Sequence, residues 1–496
     1  MSEQPDASPE NAEAQTAPPQ RPGFLSRHPP ERRFLLLLLV LGLATRFVWV
    51  LWIHPPVDYV FSDMAKYVHR AQALAEHGFV WGDRTLAWQA WGTHYILAIP
   101  LRLFGKDNLV AGSVLWATMG GLTVPLAYLV GCRVCSTPLL AKVAGVAALV
   151  WLPSLSNSGS FLSETPFLFF QLWSTYWLLC TLQDGKRALG AGLVSAVALA
   201  VRPQCALFFL LVFIAWLVNV KRLRHVRWFH LVAIAAPIIA MLGFSMWRFE
   251  QHTGYGPGVA ENANMNLTAA RCHNIVTQAF RTEHLKKRSE RRQNTRDGRR
   301  VSLPGYRLIA KRIPDDSILG LRPALGGQTI RMVGYIGDPE IHREIRTQCY
   351  ERTGVVEQAR YSLVNMSLLW FVGQQWPEKE KGRKWFLPPV EGFKHFYQVA
   401  IWIPSLVAMA WFMAWVRRRP SMSLIAFQTF TSTAIAGLFF GSIRLRTPYD
   451  IYAIILAAEV FAVVYLRVQA YRAAAALKAE PDPEPGPVSD SEAESE

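Results

Sequence analysis

The feature that most constrains this chain is the recurrence of apolar blocks of about 15 to 25 residues, because about 20 such residues cross the hydrocarbon core of a bilayer. The blocks fall at 33–53, 109–131, 139–156, 161–183, 186–200, 203–220, 228–248, 396–416, 421–441 and 448–468. With 51% hydrophobic and only 18% charged residues, the composition fits the same class. The expectation is an all-α polytopic membrane protein of about ten transmembrane helices. Its large outer loop lies between spans seven and eight.

Short basic clusters set the orientation. Arg27, Arg32 and Arg33 precede span one, and Arg133 follows span two. Lys186 and Arg187 follow span four, Lys221, Arg222, Arg224 and Arg227 follow span six, and Arg417 to Arg419 follow span eight. With a cytoplasmic N-terminus and ten spans, all of these lie inside, as the positive-inside rule requires. The opposite face then carries the loop 54–108, the turn 156–161, the Arg202-Pro203 break, the loop 249–395 and the turn 442–447.

Chain organisation follows from these boundaries. Residues 1–32 form a Pro-, Gln- and Ala-rich tail without periodicity, expected to be disordered. A transmembrane module at 33–248, the outer loop domain 249–395, spans eight to ten at 396–470 and an acidic, disordered tail at 471–496 complete the chain. The formal charge of +16 points to acidic lipid or an acidic substrate, and no nucleic-acid motif is visible. Residues 281–312 hold 12 Lys or Arg, read as a mobile solvated segment or an anion-capturing one. Cys132 and Cys135 form a lone C-x-x-C. Cys272 and Cys349 share the outer loop and pair only if it faces an oxidising compartment. Trp370, Trp376 and Trp385 are interface anchors by type.

The stretch Phe61 to Arg70, just after span one and the Pro55-Pro56 break, is the focus of the outer face. Ser62 is expected to cap a helix lying on the bilayer through Met64, Val68, Ala71 and Ala75. Asp63, Tyr67 and Arg70 then share a neighbouring face, and Asp63 sees the positive end of the helix dipole. Asp63 thus either helps to cap the helix or serves as a base or cation-binding group. Glu164, within the apolar run 161–182, should face a polar cavity or a partner, since a lipid-facing charge costs up to about 3 kcal/mol. Arg46, in the outer half of span one, is a candidate for that partner, or else reaches the headgroups.

In this layout the chain resembles the GT-C superfamily of membrane glycosyltransferases, in the branch with protein O-mannosyltransferases and lipid A aminoarabinose and galacturonic acid transferases. Arg46, Pro55-Pro56 and Asp63-x-x-x-Tyr67-x-x-x-Ala71 resemble the first-loop motif. Trp91-Gly-Thr-His94-Tyr95 resembles the segment after it, although Ala90 and Trp91 stand where prolines are usual. Ser163-Glu164, Arg202-Pro203 and Arg444-Leu-Arg446-Thr-Pro448-Tyr449 resemble later elements. The resemblance implies a catalytic Asp63, with substrate bound by Asp58, Tyr67, His94, Glu164, Arg202, Arg444 and Arg446.

It further implies sugar transfer, with inversion, from a polyprenyl-phosphate donor to a lipid, glycan or protein acceptor outside the cytoplasm, in a bacterial inner membrane. No cofactor is required by this reading. A divalent cation on Asp58 and Asp63 is the option it leaves open, although Met64 stands where the family often has a second acid. The competing readings are a flippase or transporter of lipid-linked sugars and a glycan polymerase or ligase. The lack of an internal repeat, and polar residues gathered on one side, count against the transporter.

Overall fold

The computed structural model describes residues 28–79, 84–272, 338–370, 396–439 and 441–479, together with five short strands between 275 and 333. Trp376 and Trp385, most of the basic segment 281–312, and both tail ends (1–27 and 480–496) lie outside the described residues.

Each apolar block contains a helix. In chain order these and their neighbours are α1 (Arg32–Val48), α2 (Ser62–His77), α3 (Gly92–Phe104), α4 (Leu109–Val134), α5 (Pro138–Val150) and α6 (Leu152–Ser158). Then come α7 (Glu164–Asp184), α8 (Ala188–Val201), α9 (Ala206–Asn219), α10 (Trp228–Thr253), α11 (Asn262–Arg271) and α12 (Pro339–Trp370). The last are α13 (Ile403–Ala414), α14 (Pro420–Leu438), the single turn α15 (Ile443–Arg446) and α16 (Asp450–Ala479). Among the described residues, four helical segments are long and apolar enough to cross a membrane: Arg32–Ile53, Leu109–Val134, Trp228–Thr253 and Arg444–Ala475. The pair α5 and α6, bent by 47°, makes a fifth if it is one broken span. Others are shorter: α8, with 14 residues, is about 21 Å long against a core of about 30 Å.

The helical expectation holds for this bundle, whereas the segment 249–395 also contains strands. Ile275–Phe280, Gly305–Ala310 and Thr329–Val333 form an antiparallel sheet with Gly305–Ala310 in the middle. The C-terminal part departs from the expected tail, since α16 continues as helix through Ala479.

Helix α4 is central, packing on α1, α5 and α7. Its contact with α1 is backbone-close: a Cβ on Gly42 would lie 2.7 Å from the Gly121 carbonyl oxygen. Small residues at such crossings are the usual means of close helix packing in membranes. The break between α5 and α6 explains Arg46. Pro153 has no N–H, so the carbonyl four residues back loses its helical donor. The Arg46 guanidinium donates to the Leu149 and Ala148 carbonyls at 2.7 and 2.8 Å. Arg46 therefore serves this break and is not the partner of Glu164.

Helix α2 also differs from expectation. Phe61 occupies the cap position, no side chain caps the helix, and Ser62 is its first residue with φ of 50°. Its apolar stripe does not lie on lipid. Val68, Ala71 and Leu74 are buried against Leu97, Leu101 and Trp116 of α3 and α4. The stripe is thus part of a protein core.

The first stretch of the large loop is tied down. Cys272, after α11, is disulfide-bonded to Cys349 in α12. Arg271 donates to Ser362 Oγ and to the Gly437 carbonyl, so α11, α12 and α14 are joined. Cys132 and Cys135 are free and buried.

Candidate active site

Four chain segments bring opposite charges together at one end of the bundle: the start of α2, the start of α7, the end of α8 and the turn α15. At the end of α8, Pro203 disfavours helical backbone at the preceding residue. Arg202 is accordingly extended, with φ −144° and ψ 97°, and its side chain leaves the helix axis. It donates from Nη2 to Glu164 Oε1 at 2.6 Å and from Nε to Ser163 Oγ at 3.0 Å.

Arg444 approaches the same carboxylate from the other side, with Nε 2.5 Å from Glu164 Oε1. Its Nη1 donates to Asp63 Oδ2 at 3.0 Å. Glu164 is fully buried, with side-chain exposure of 1%, and Asp63 retains 30%. The cluster thus has a buried inner carboxylate and an accessible outer one, with Arg444 between them. Lys66, one turn along α2, lies 3.4 Å from Asp63 Oδ1.

The approach of α15 depends on a glycine. A Cβ on Gly441 would sit 1.7 Å from the Asn365 carbonyl oxygen of α12. Only a residue without a side chain lets this segment press against α12. Asn365 is itself buried.

The electrostatics follow from the geometry. Burial pushes the Asp63 carboxyl up, but Arg444 and Lys66 outweigh it and hold Asp63 below the usual carboxylate range. Burial raises Tyr67, and Asp63 and Glu164 raise it further, so it remains a phenol able to donate a hydrogen bond. His94 stacks on Tyr67 at 6.3 Å and is wholly buried, with neither ring nitrogen hydrogen-bonded among the described residues. Burial, then Arg70 and Arg248, push it well below its ordinary value, so it is neutral at pH 7.

A cationic group lies beside His94. Arg248, at the end of α10, donates to the Tyr95 hydroxyl at 3.2 Å, and its Nη2 has no partner among the described residues. Arg70 donates to Gln89 at 2.6 Å. Arg202 is paired with Glu164, and Arg444 with both Glu164 and Asp63. Sequence reasoning passed over Arg248 because a basic residue closing a span reads as an ordinary flank.

The expected residues therefore separate. Asp63, Tyr67, Glu164, Arg202 and Arg444 are gathered, and His94 lies behind Tyr67. Asp58 is exposed on the 3₁₀ turn Pro56–Tyr59, and no side-chain bond links it to Asp63. Arg446 points elsewhere, donating from Nε to Asp450 Oδ1 at 2.9 Å. Among the described residues no group of three or more His, Cys, Asp or Glu is placed to hold a metal ion.

No family model matches the chain, and no curated protein matches it. Among solved structures it is similar to the archaeal oligosaccharyltransferase AglB from Archaeoglobus fulgidus in complex with an inhibitory peptide and a dolichol-phosphate. That likeness has 12% identity, a TM-score of 0.42, and covers 91% of this chain and 53% of that one. The Archaeoglobus fulgidus oligosaccharyltransferase in the apo form matches with the same identity and coverage at a TM-score of 0.47. The chain spans about half the length of these proteins.

Proposed function

We propose that the chain is an integral membrane glycosyltransferase that moves a sugar from a polyprenyl-phosphate donor to an alcohol on the extracytoplasmic side. The observation that carries this reading is the junction of Asp63 and Glu164 through Arg444 at the end of a membrane bundle. A part-exposed carboxylate beside clustered cations is what displacement at an anomeric carbon needs. The base accepts the acceptor's proton while the sugar bond to phosphate breaks, and the departing phosphate carries the charge that the arginines meet.

Within this reading Asp63 is the base and Tyr67 donates a hydrogen bond to bound substrate. Glu164 and Arg202 hold Arg444. The phosphate is assigned to Arg444 together with Arg248, whose Nη2 has no hydrogen-bond partner among the described residues. Direct displacement gives inversion. With the ten spans and cytoplasmic termini expected from the sequence, this cluster would lie at the outer leaflet boundary, where a lipid-linked phosphate presents its sugar. The paired Cys272 and Cys349 support an outer location for the loop, because such bonds persist in oxidising compartments. A cation bound jointly by Asp58 and Asp63 receives no support from the geometry around Asp58.

The test uses the purified chain in nanodiscs with a panel of synthetic polyprenyl-phosphate sugars. Release of free polyprenyl phosphate coupled to glycosylation of an alcohol supports the reading. Movement of an intact lipid-linked sugar between leaflets, without release, supports the transporter instead.

A further inference from the structure

A second buried ionic group lies next to the candidate site, and the proposed chemistry does not use it. Asp450, at the start of α16, is completely buried. Its Oδ1 accepts from Arg446 Nε at 2.9 Å and from the Tyr397 hydroxyl at 3.1 Å. Its Oδ2 accepts from Trp151 Nε1 at 2.9 Å. The Arg446 guanidinium lies 3.8 Å from the centre of the Tyr397 ring, and its Nη1 donates to the carbonyls of Leu369 and Trp370 at 3.4 and 3.1 Å. A charged pair this deep survives only when its remaining hydrogen-bond capacity is met, and here both partners are held on several sides.

Arg446 shares the single turn α15 with Arg444. A four-residue helix cannot hold its shape through its own hydrogen bonds, because helix nucleation is unfavourable. Two residues along a helix are about 200° apart, so the two arginines project to opposite sides of the turn. Fixing one side therefore fixes the other. Arg444, by contrast, is 17% exposed and meets carboxylates on two separate helices.

We propose that Asp450 is a positioning residue: by clamping Arg446 it sets the rotation of α15 and thereby places Arg444 between Asp63 and Glu164. Being wholly buried, Asp450 does not touch substrate. It acts through Arg446 on the arginine that tunes the base. This inference rests on the reading of Asp63 as the base.

A merely structural role and a positioning role differ in the pH–rate profile. If Arg444 slips from Asp63, the carboxylate loses its nearest cation and protonates at higher pH. The measurement is sugar transfer against pH in nanodiscs, normalised to protein that elutes as a monodisperse peak. Asp450→Asn is expected to move the acidic limb upward by about one unit, toward the limb of Arg444→Gln. Asp450→Glu, which keeps the charge, should leave the limb near that of the unaltered protein. Should Asp450→Asn not fold, Arg446→Lys replaces it, since an ammonium cannot serve the carboxylate and two carbonyls with the same geometry. A limb that stays in place while activity falls in Asp450→Asn, or in Arg446→Lys when that variant stands in, overturns the positioning role. Full activity of Asp63→Asn would instead remove the base on which both readings stand.

Discussion

Asp63 and Arg444 are 381 positions apart in sequence and 3.0 Å apart in the fold. The contact joins the start of α2 to the turn before α16. On the proposed reading, a base paired with a cation is weak until something draws the cation away, as an arriving phosphate would.

That relationship sets the pH behaviour. Asp63 is held below the ordinary carboxylate range, so its charge favours the fold above its unfolded value and loses that effect as pH falls through the lower folded one. Activity that needs the free carboxylate should accordingly persist to a pH below the ordinary carboxylate range. Arg444→Gln should move the acidic limb upward by about one unit or more. The check is the pH dependence of transfer at saturating acceptor.

Glu164 neutralises two arginines through one oxygen. Glu164→Gln leaves two guanidiniums facing an amide in a buried site, so stability should fall by about 3 kcal/mol and transfer should drop at least tenfold. Adding Arg202→Gln should recover part of the stability, because coupled neighbours are not additive. Thermal denaturation in detergent reads both effects.

Much of this cluster was legible in the sequence, for a simple reason. Glu164 stands in an apolar run, where an unpaired charge is costly, and the resemblance adds Arg202 and Arg444 to the same site. Their partners were less legible. Arg46 answers carbonyls freed by Pro153, roughly a hundred residues away, which only the bend between α5 and α6 reveals. Arg446, which the resemblance puts among the substrate-binding residues, instead pairs with Asp450, four residues later inside an apolar stretch. The apolar stripe of α2 has the same period whether it faces lipid or protein, and α3 decides between them.

Gly441 offers a test of how closely α15 must press on α12. A Cβ there has no room against the Asn365 carbonyl, and backbone cannot swing aside as a side chain can. Gly441→Ala should displace the Arg444 turn and reduce transfer at least tenfold, with donor release of product affected in parallel. Gly243→Ala, where a Cβ meets nothing within 4 Å, is the control and should leave transfer unchanged.

The disulfide predicts a thiol count. Of six cysteines, Cys132, Cys135, Cys180 and Cys205 are free and buried. Denatured, unreduced protein should therefore bind four equivalents of a thiol reagent, and reduction should add the remaining pair. Replacing Cys272 and Cys349 by serine should cost about 2 to 4 kcal/mol of stability, measured by thermal unfolding.

The most direct test of the account is Asp63→Asn in the transfer assay from polyprenyl-phosphate sugar, at matched protein level. The change keeps the side chain's size but removes its charge and basicity. The account predicts a monodisperse protein whose transfer rate falls by about 10²-fold or more, while Asp58→Asn, exposed and outside the cluster, loses far less. Near-normal transfer by Asp63→Asn would contradict it.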